Sequence, residues 1–89
     1  MYLHLGQGVV VRDEEIIGIF DLDNTTASKA TNAFLSAAEK GGALVNITDD
    51  VPKSFILCSG NGVNTVYFSQ LATSTLQKRA GFFKFGRND

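Results

Sequence analysis

The chain has 89 residues, eight Lys and Arg against nine Asp and Glu (net charge −1), 44% hydrophobic residues and nine aromatics. That length excludes a five-stranded doubly wound parallel sheet, which needs roughly four crossover units of about 30 residues each. The near-neutral charge excludes the strongly basic balance of a simple DNA binder. A single cysteine, Cys58, excludes an internal disulfide framework, and no segment is long enough to span a membrane.

Tyr2-Leu3-His4-Leu5 alternates and predicts a short strand, with His4 on the outer or interface side. Gly6-Gln7-Gly8 predicts a turn, because two glycines allow positive φ there. Val9-Val10-Val11 is β-branched and predicts the return strand, followed by the polar link Arg12-Asp13-Glu14-Glu15. Residues 16–20 are apolar enough to predict a central strand. The chain then turns over residues 23–26, where Thr25, Thr26 or Ser28 would cap a helix. Ala30, Ala33, Phe34, Ala37 and Ala38 fall on one helical face, and Gly41-Gly42 stops the helix after Lys40.

Residues 43–47 predict a strand, 48–52 a polar loop, and 55–58 another strand holding Cys58 as a small core residue. Ser59-Gly60-Asn61-Gly62 contains Asn-Gly, a strong hairpin signal, and residues 64–69 pair back from it. Thr73 or Ser74 starts a second helix that runs to Ala80. The order βββαβββα predicts an α+β fold with a small, largely antiparallel sheet and two helices. Residues 1–81 form the domain and 82–89 a tail, whose Phe82, Phe83 and Phe85 either pack against the sheet or a second subunit or stack on bases.

Residues 17–25, Ile-Gly-Ile-Phe-Asp-Leu-Asp-Asn-Thr, resemble the nucleophile loop of haloacid-dehalogenase-type phosphatases. That chemistry would use Asp21 as nucleophile, Asp23 as acid/base, and both to hold Mg²⁺. Only 64 residues follow Thr25, too few for the parallel sheet such enzymes need. The structural reading is a buried strand followed by a polar turn. A zinc site is not expected, since His4 has no second histidine and Cys58 is in an apolar run. No catalytic residue, metal or other cofactor is therefore assigned.

Charge is unevenly spread along the chain. Residues 1–50 carry three basic and eight acidic side chains (−5), and residues 51–89 carry five and one (+4). This predicts either a bipolar surface that joins copies head to tail, closing into a ring where the rotation permits, or charges interleaved by folding.

A broader resemblance covers residues 1–80. Met1-Tyr2-Leu3-His4-Leu5-Gly6, Ile16-Ile17-Gly18-Ile19-Phe20-Asp21, Pro52-Lys53-Ser54, Tyr67-Phe68-Ser69 and Ser74-Thr75-Leu76-Gln77-Lys78-Arg79-Ala80 resemble the RemA/RemB family of bacterial extracellular-matrix regulators, on its RemB branch. The resemblance implies a noncatalytic cytosolic regulator of transcription of matrix and biofilm genes. RemA-type relatives bind DNA and assemble into rings, which implies a homo-oligomer with double-stranded DNA or a related regulator as partner, and no membrane. Where RemA-type proteins carry an arginine-rich segment, this chain reads Asp49-Asp50-Val51-Pro52-Lys53, and a basic residue before the third strand is replaced near Glu15. Two carboxylates repel phosphate, so weak DNA contact or a protein partner is expected, with RemA-like direct DNA binding as the alternative.

Four basic residues are the candidate DNA contacts. Lys53, after Pro52 at a strand start, is the first, against an ordinary solvated lysine. Arg12 sits among acids that invite a local ion pair. Lys78 and Arg79 end the second helix, where they complement its dipole or reach nucleic acid or a neighbouring subunit.

Overall fold

The computed structural model describes residues 2–22 and 29–80. Among these residues, six strands and two helices form an α+β fold: β1 (Tyr2–Gly6), β2 (Val9–Arg12), β3 (Ile16–Asp21), α1 (Lys29–Lys40), β4 (Leu44–Asn46), β5 (Ser54–Gly60), β6 (Val63–Ser69) and α2 (Thr73–Ala80), with one 3₁₀ turn at Asp13–Glu15. The expected helix caps, Asp23 and the tail lie outside the described residues.

The strands make two sheets. β1 and β2 form an antiparallel hairpin, and the other four follow the order β3-β5-β6-β4. β5 runs antiparallel to both β3 and β6, while β4 is parallel to β6. β3 and β4 therefore run parallel at opposite edges, joined through α1, with the β5–β6 hairpin inserted between them. This is a split βαβ arrangement.

Placing β3 at an edge corrects the expectation of a central strand. Nor is it the buried strand expected: none of its residues is fully buried, Ile19 packs against the hairpin-side core, Phe20 lies on the other side against Phe55, and both Ile17 and Phe20 remain exposed. The sheet order also places the two strands from residues 1–50 outside the two strands from residues 51–89.

Both hairpins turn on two residues with positive φ: Gln7 (52°) with Gly8 (78°), and Asn61 (54°) with Gly62 (78°). That backbone matches the twist of the flanking strands. The Asn-Gly pair was legible because Asn and Gly tolerate the left-handed region. After α1, the Gly42 N–H donates to the Glu39 carbonyl (3.1 Å) and the Ala43 N–H to the Ala38 carbonyl (2.8 Å), with Gly42 at φ 75°. This pair of bonds is a Schellman stop, and it satisfies carbonyls that the helix end would leave open.

The four-stranded sheet has two differently covered faces. The hairpin and α2 cover one, enclosing Leu3, Leu5, Val11, Ile56, Cys58 and Leu76. Two fully buried serines tie this side together. Ser54 pairs with Ser69 across β5–β6, the Ser54 hydroxyl donates to the Leu71 carbonyl (2.8 Å), and the Ser69 hydroxyl donates to the Leu5 carbonyl (2.7 Å). The Leu71 N–H in turn donates to the Ser69 oxygen (3.0 Å). Buried hydroxyls are tolerated because each is bonded.

α1 covers the opposite face, where Leu22, Leu35, Phe55 and Val66 are buried. Its inward residues are Thr31, Leu35 and Ala38, which corrects the expected apolar face. Ala30, Ala33 and Ala37 are exposed and Phe34 is 42% exposed. Burying one leucine removes more apolar surface from water than burying several alanines, so Leu35 sets the helix rotation.

Candidate nucleic-acid interface

Strand alternation in the β1–β2 hairpin sends Leu3, Leu5 and Val11 inward. It leaves Tyr2, His4, Val10 and Arg12 outward, with Tyr2 opposite Arg12 and His4 opposite Val10. α2 packs along β1, and the Arg79 guanidinium donates to the His4 carbonyl at 3.3 Å. That acceptor is a neutral carbonyl, so the contact places no carboxylate beside the guanidinium. Tyr2, His4, Gly6, Gly8 and Arg79 line a shallow open groove of about 620 Å³. Lys78 is exposed beside Arg79.

Arg12, on the same outward face, forms an exposed ion pair with Glu14. Glu14 offsets its charge locally, although an exposed pair of this kind is weak and screened by salt. Arg12 thus faces outward opposite Tyr2 in the hairpin, and Arg79, from the other half of the chain, lies in the groove that Tyr2 and His4 line.

Lys53 sits in a second place. Its backbone N–H donates to the Ser69 carbonyl (2.8 Å), and its carbonyl accepts from the Leu22 N–H (3.0 Å). The preceding loop is pinned through Thr48, whose hydroxyl donates to Gln70 (2.8 Å) and accepts from the Asp50 N–H (2.9 Å). Lys53 is therefore an exposed charge on a fixed backbone. Its open groove of about 410 Å³ also contains Asp50, Val51, Gln70 and Leu71. Asp50 at this groove carries the charge that opposes phosphate. The two grooves share no lining residue, but Gly6 of one and Gln70 of the other each adjoin the Ser69–Leu5 hydrogen bond.

Among the described residues, no group of three or more His, Cys, Asp and Glu could hold a metal ion. Asp21 ends an edge strand whose one ladder partner is antiparallel, whereas the phosphatase-like reading presupposes a central strand of a parallel sheet. Asp23 lies outside the described residues. Burial, with Glu15 as a smaller cause, pushes the Cys58 thiol up to about 11, which leaves it protonated and unreactive at neutral pH. Tyr67 is raised by burial first, then by Cys58 and Glu15. The Glu15 carboxylate lies so close to Gly60 that a Cβ there would meet it at 2.9 Å. An acid thus occupies the region where the sequence departs from the basic pattern. Among the described residues, no helix is long and apolar enough to cross a membrane.

The outward placement of His4 follows from alternation and was legible. The Arg79–His4 contact spans 75 positions, and no local signal marks it.

The fold and its surface define a small α+β module with a basic and aromatic exposed face and a closed core on the opposite side of that hairpin. The chain belongs to the RemA-like family, described as extracellular matrix regulatory protein A-like, which matches residues 2–80. It is 37% identical over 82 residues to the extracellular matrix regulatory protein B of Bacillus subtilis (strain 168), covering 92% of this chain and 93% of that protein.

Proposed function

We propose that this matrix-regulator homologue is a noncatalytic cytosolic protein that acts on transcription of matrix and biofilm genes. In this reading it self-associates into a scaffold, with ring closure as the expected form, and makes weak contact with double-stranded DNA or works through a related regulator. The observation that carries the reading is similarity to an extracellular matrix regulatory protein over nearly the whole of both chains. The surface offers Arg79, Lys78, Arg12 and Lys53 as phosphate contacts. Each is exposed and individually weak, and repetition on a homo-oligomer sums such contacts into useful affinity. Glu14 beside Arg12 and Asp50 beside Lys53 favour weak contact over strong RemA-like direct binding.

The test is fluorescence anisotropy with a long labelled duplex at several salt concentrations. Saturable binding that weakens steeply with salt is expected. Arg79→Ala should weaken it across sequences and lower the salt slope by about 1 per copy bound. Absence of binding at low salt overturns the DNA contact and assigns the function to the protein partner.

A further inference from the structure

The groove lined by β1, its turn and the end of α2 differs from the Lys53 groove in carrying ring side chains. Tyr2 and His4 stand two positions apart on the outward face of β1, which attaches their rings roughly 7 Å apart. Tyr2 is 65% exposed. Gly6 and Gly8 continue the lining past His4. Nothing lies within 4 Å of where a Cβ would stand at either glycine, so the backbone there is open to an approaching group. Arg79 of α2 completes the lining. Its bond to the His4 carbonyl uses one of the guanidinium donors and holds the group beside β1. Lys78 is exposed next to it, whereas Arg12, opposite Tyr2, is engaged with Glu14.

We propose that this groove takes single-stranded nucleic acid, with an unpaired base stacked on Tyr2 and a flanking phosphate on Arg79. The proposal rests on the nucleic-acid contact of the preceding section and specifies the form of the strand. Charge is the first argument. No carboxylate lines the groove, and its permanently charged group is a guanidinium, which suits a polyanion.

Ring chemistry separates the two forms of nucleic acid. In a duplex the base faces are covered by their neighbours in the stack, so an exposed phenol meets only edges, sugars and phosphates. An unpaired base offers its whole face, and stacking on an aromatic ring tolerates any base. The spacing of Tyr2 and His4 is about two base-stacking steps, which leaves room for one base between them. Shape points the same way. Reading a duplex through its major groove takes an element that projects into it, a helix or a two-stranded ribbon. Here the hairpin packs Leu3, Leu5 and Val11 onto the core, and its outer side is hollowed beside α2. A hollow receives a base that is turned out of a strand.

The experiment measures fluorescence anisotropy of a labelled oligothymidylate and of a duplex of the same length at low salt. Wild type is compared with Tyr2→Ala and Tyr2→Phe, with far-UV circular dichroism to check the fold. Intrinsic emission gives a second readout, because the chain has no tryptophan and two tyrosines, Tyr2 and the half-buried Tyr67. The expected result is tighter binding of the single strand than of the duplex, with quenching of tyrosine emission. Tyr2→Ala should lose at least about 5-fold in single-strand affinity. Tyr2→Phe should keep the affinity, because the ring remains, and lose most of the quench. A duplex bound as tightly as the single strand overturns the proposal and leaves the duplex contact standing. Unchanged single-strand affinity in folded Tyr2→Ala overturns this site. Binding of neither form overturns both readings. If Tyr2→Ala fails to fold, the quench and its loss in Tyr2→Phe decide the question.

Discussion

The two faces of the central sheet are finished in different ways. On the hairpin side, Leu3, Leu5, Ile56 and Leu76 are fully buried, and the Ser54–Ser69 pair ties β5 and β6 to β1 and to the segment before α2. On the α1 side, a single helix packs mainly against β4 and β6, burying Leu35 but leaving Phe20 and Phe34 partly in water. One layer fills its face completely because a two-stranded hairpin and a helix share it. The other is narrower than the sheet it covers. A closed face contributes stability to the monomer, whereas an open apolar face leaves binding energy for another molecule.

Substitutions sharpen this contrast. Ile56→Ala should show the largest effect, a loss of about 2–5 kcal/mol in urea unfolding, because it opens a cavity in the closed face. A similar loss from the partly exposed Phe34→Ala, measured in the monomer, would erase the distinction between the faces. Ser69→Ala comes next, at about 1–3 kcal/mol, since it strands the Leu5 carbonyl and the Leu71 N–H away from water. A loss near zero would mean that those groups find other partners.

The smallest effect is electrostatic. The folded-state pKa of Cys58 lies near 11, above its ordinary value of 9.0, so the native state holds the proton more tightly than the unfolded chain does. Its contribution to stability is complete below pH 9 and is lost as pH rises toward 11. Unfolding measured across that window should show wild type losing stability faster than Cys58→Ala. Equal slopes would break the link between burial and this thiol.

Much of the fold was readable from local pattern. Strand alternation located β1 with Leu3 and Leu5 inward, Asn61-Gly62 marked the second hairpin, and Gly41-Gly42 ended α1. Each signal acts over a few residues, where backbone sterics and side-chain period are decisive. Of the expected face Ala30, Ala33, Phe34, Ala37 and Ala38, only Ala38 turns inward: four of these five side chains are small alanines, while Leu35 dominates the burial. The candidate interface was legible only in pieces. Arg12, Lys53, Lys78 and Arg79 were visible as basic positions, but their local chemistry differs: Arg12 meets Glu14, Arg79 meets the His4 backbone, and Lys53 shares a groove with Asp50.

The amino-acid order, through short-range periodicity and turn chemistry, was enough to establish the α+β class and the succession of elements, while the resemblance of particular segments pointed to the matrix regulators. Tertiary structure alone decided three things: that β3 lies at an edge with β5 and β6 inserted beside it, that Arg79 reaches the His4 carbonyl, and that α1 leaves Ala30, Ala33, Phe34 and Ala37 exposed. Those outcomes depend on which distant surfaces bury the most area together, a competition among long-range contacts that no local window of residues contains.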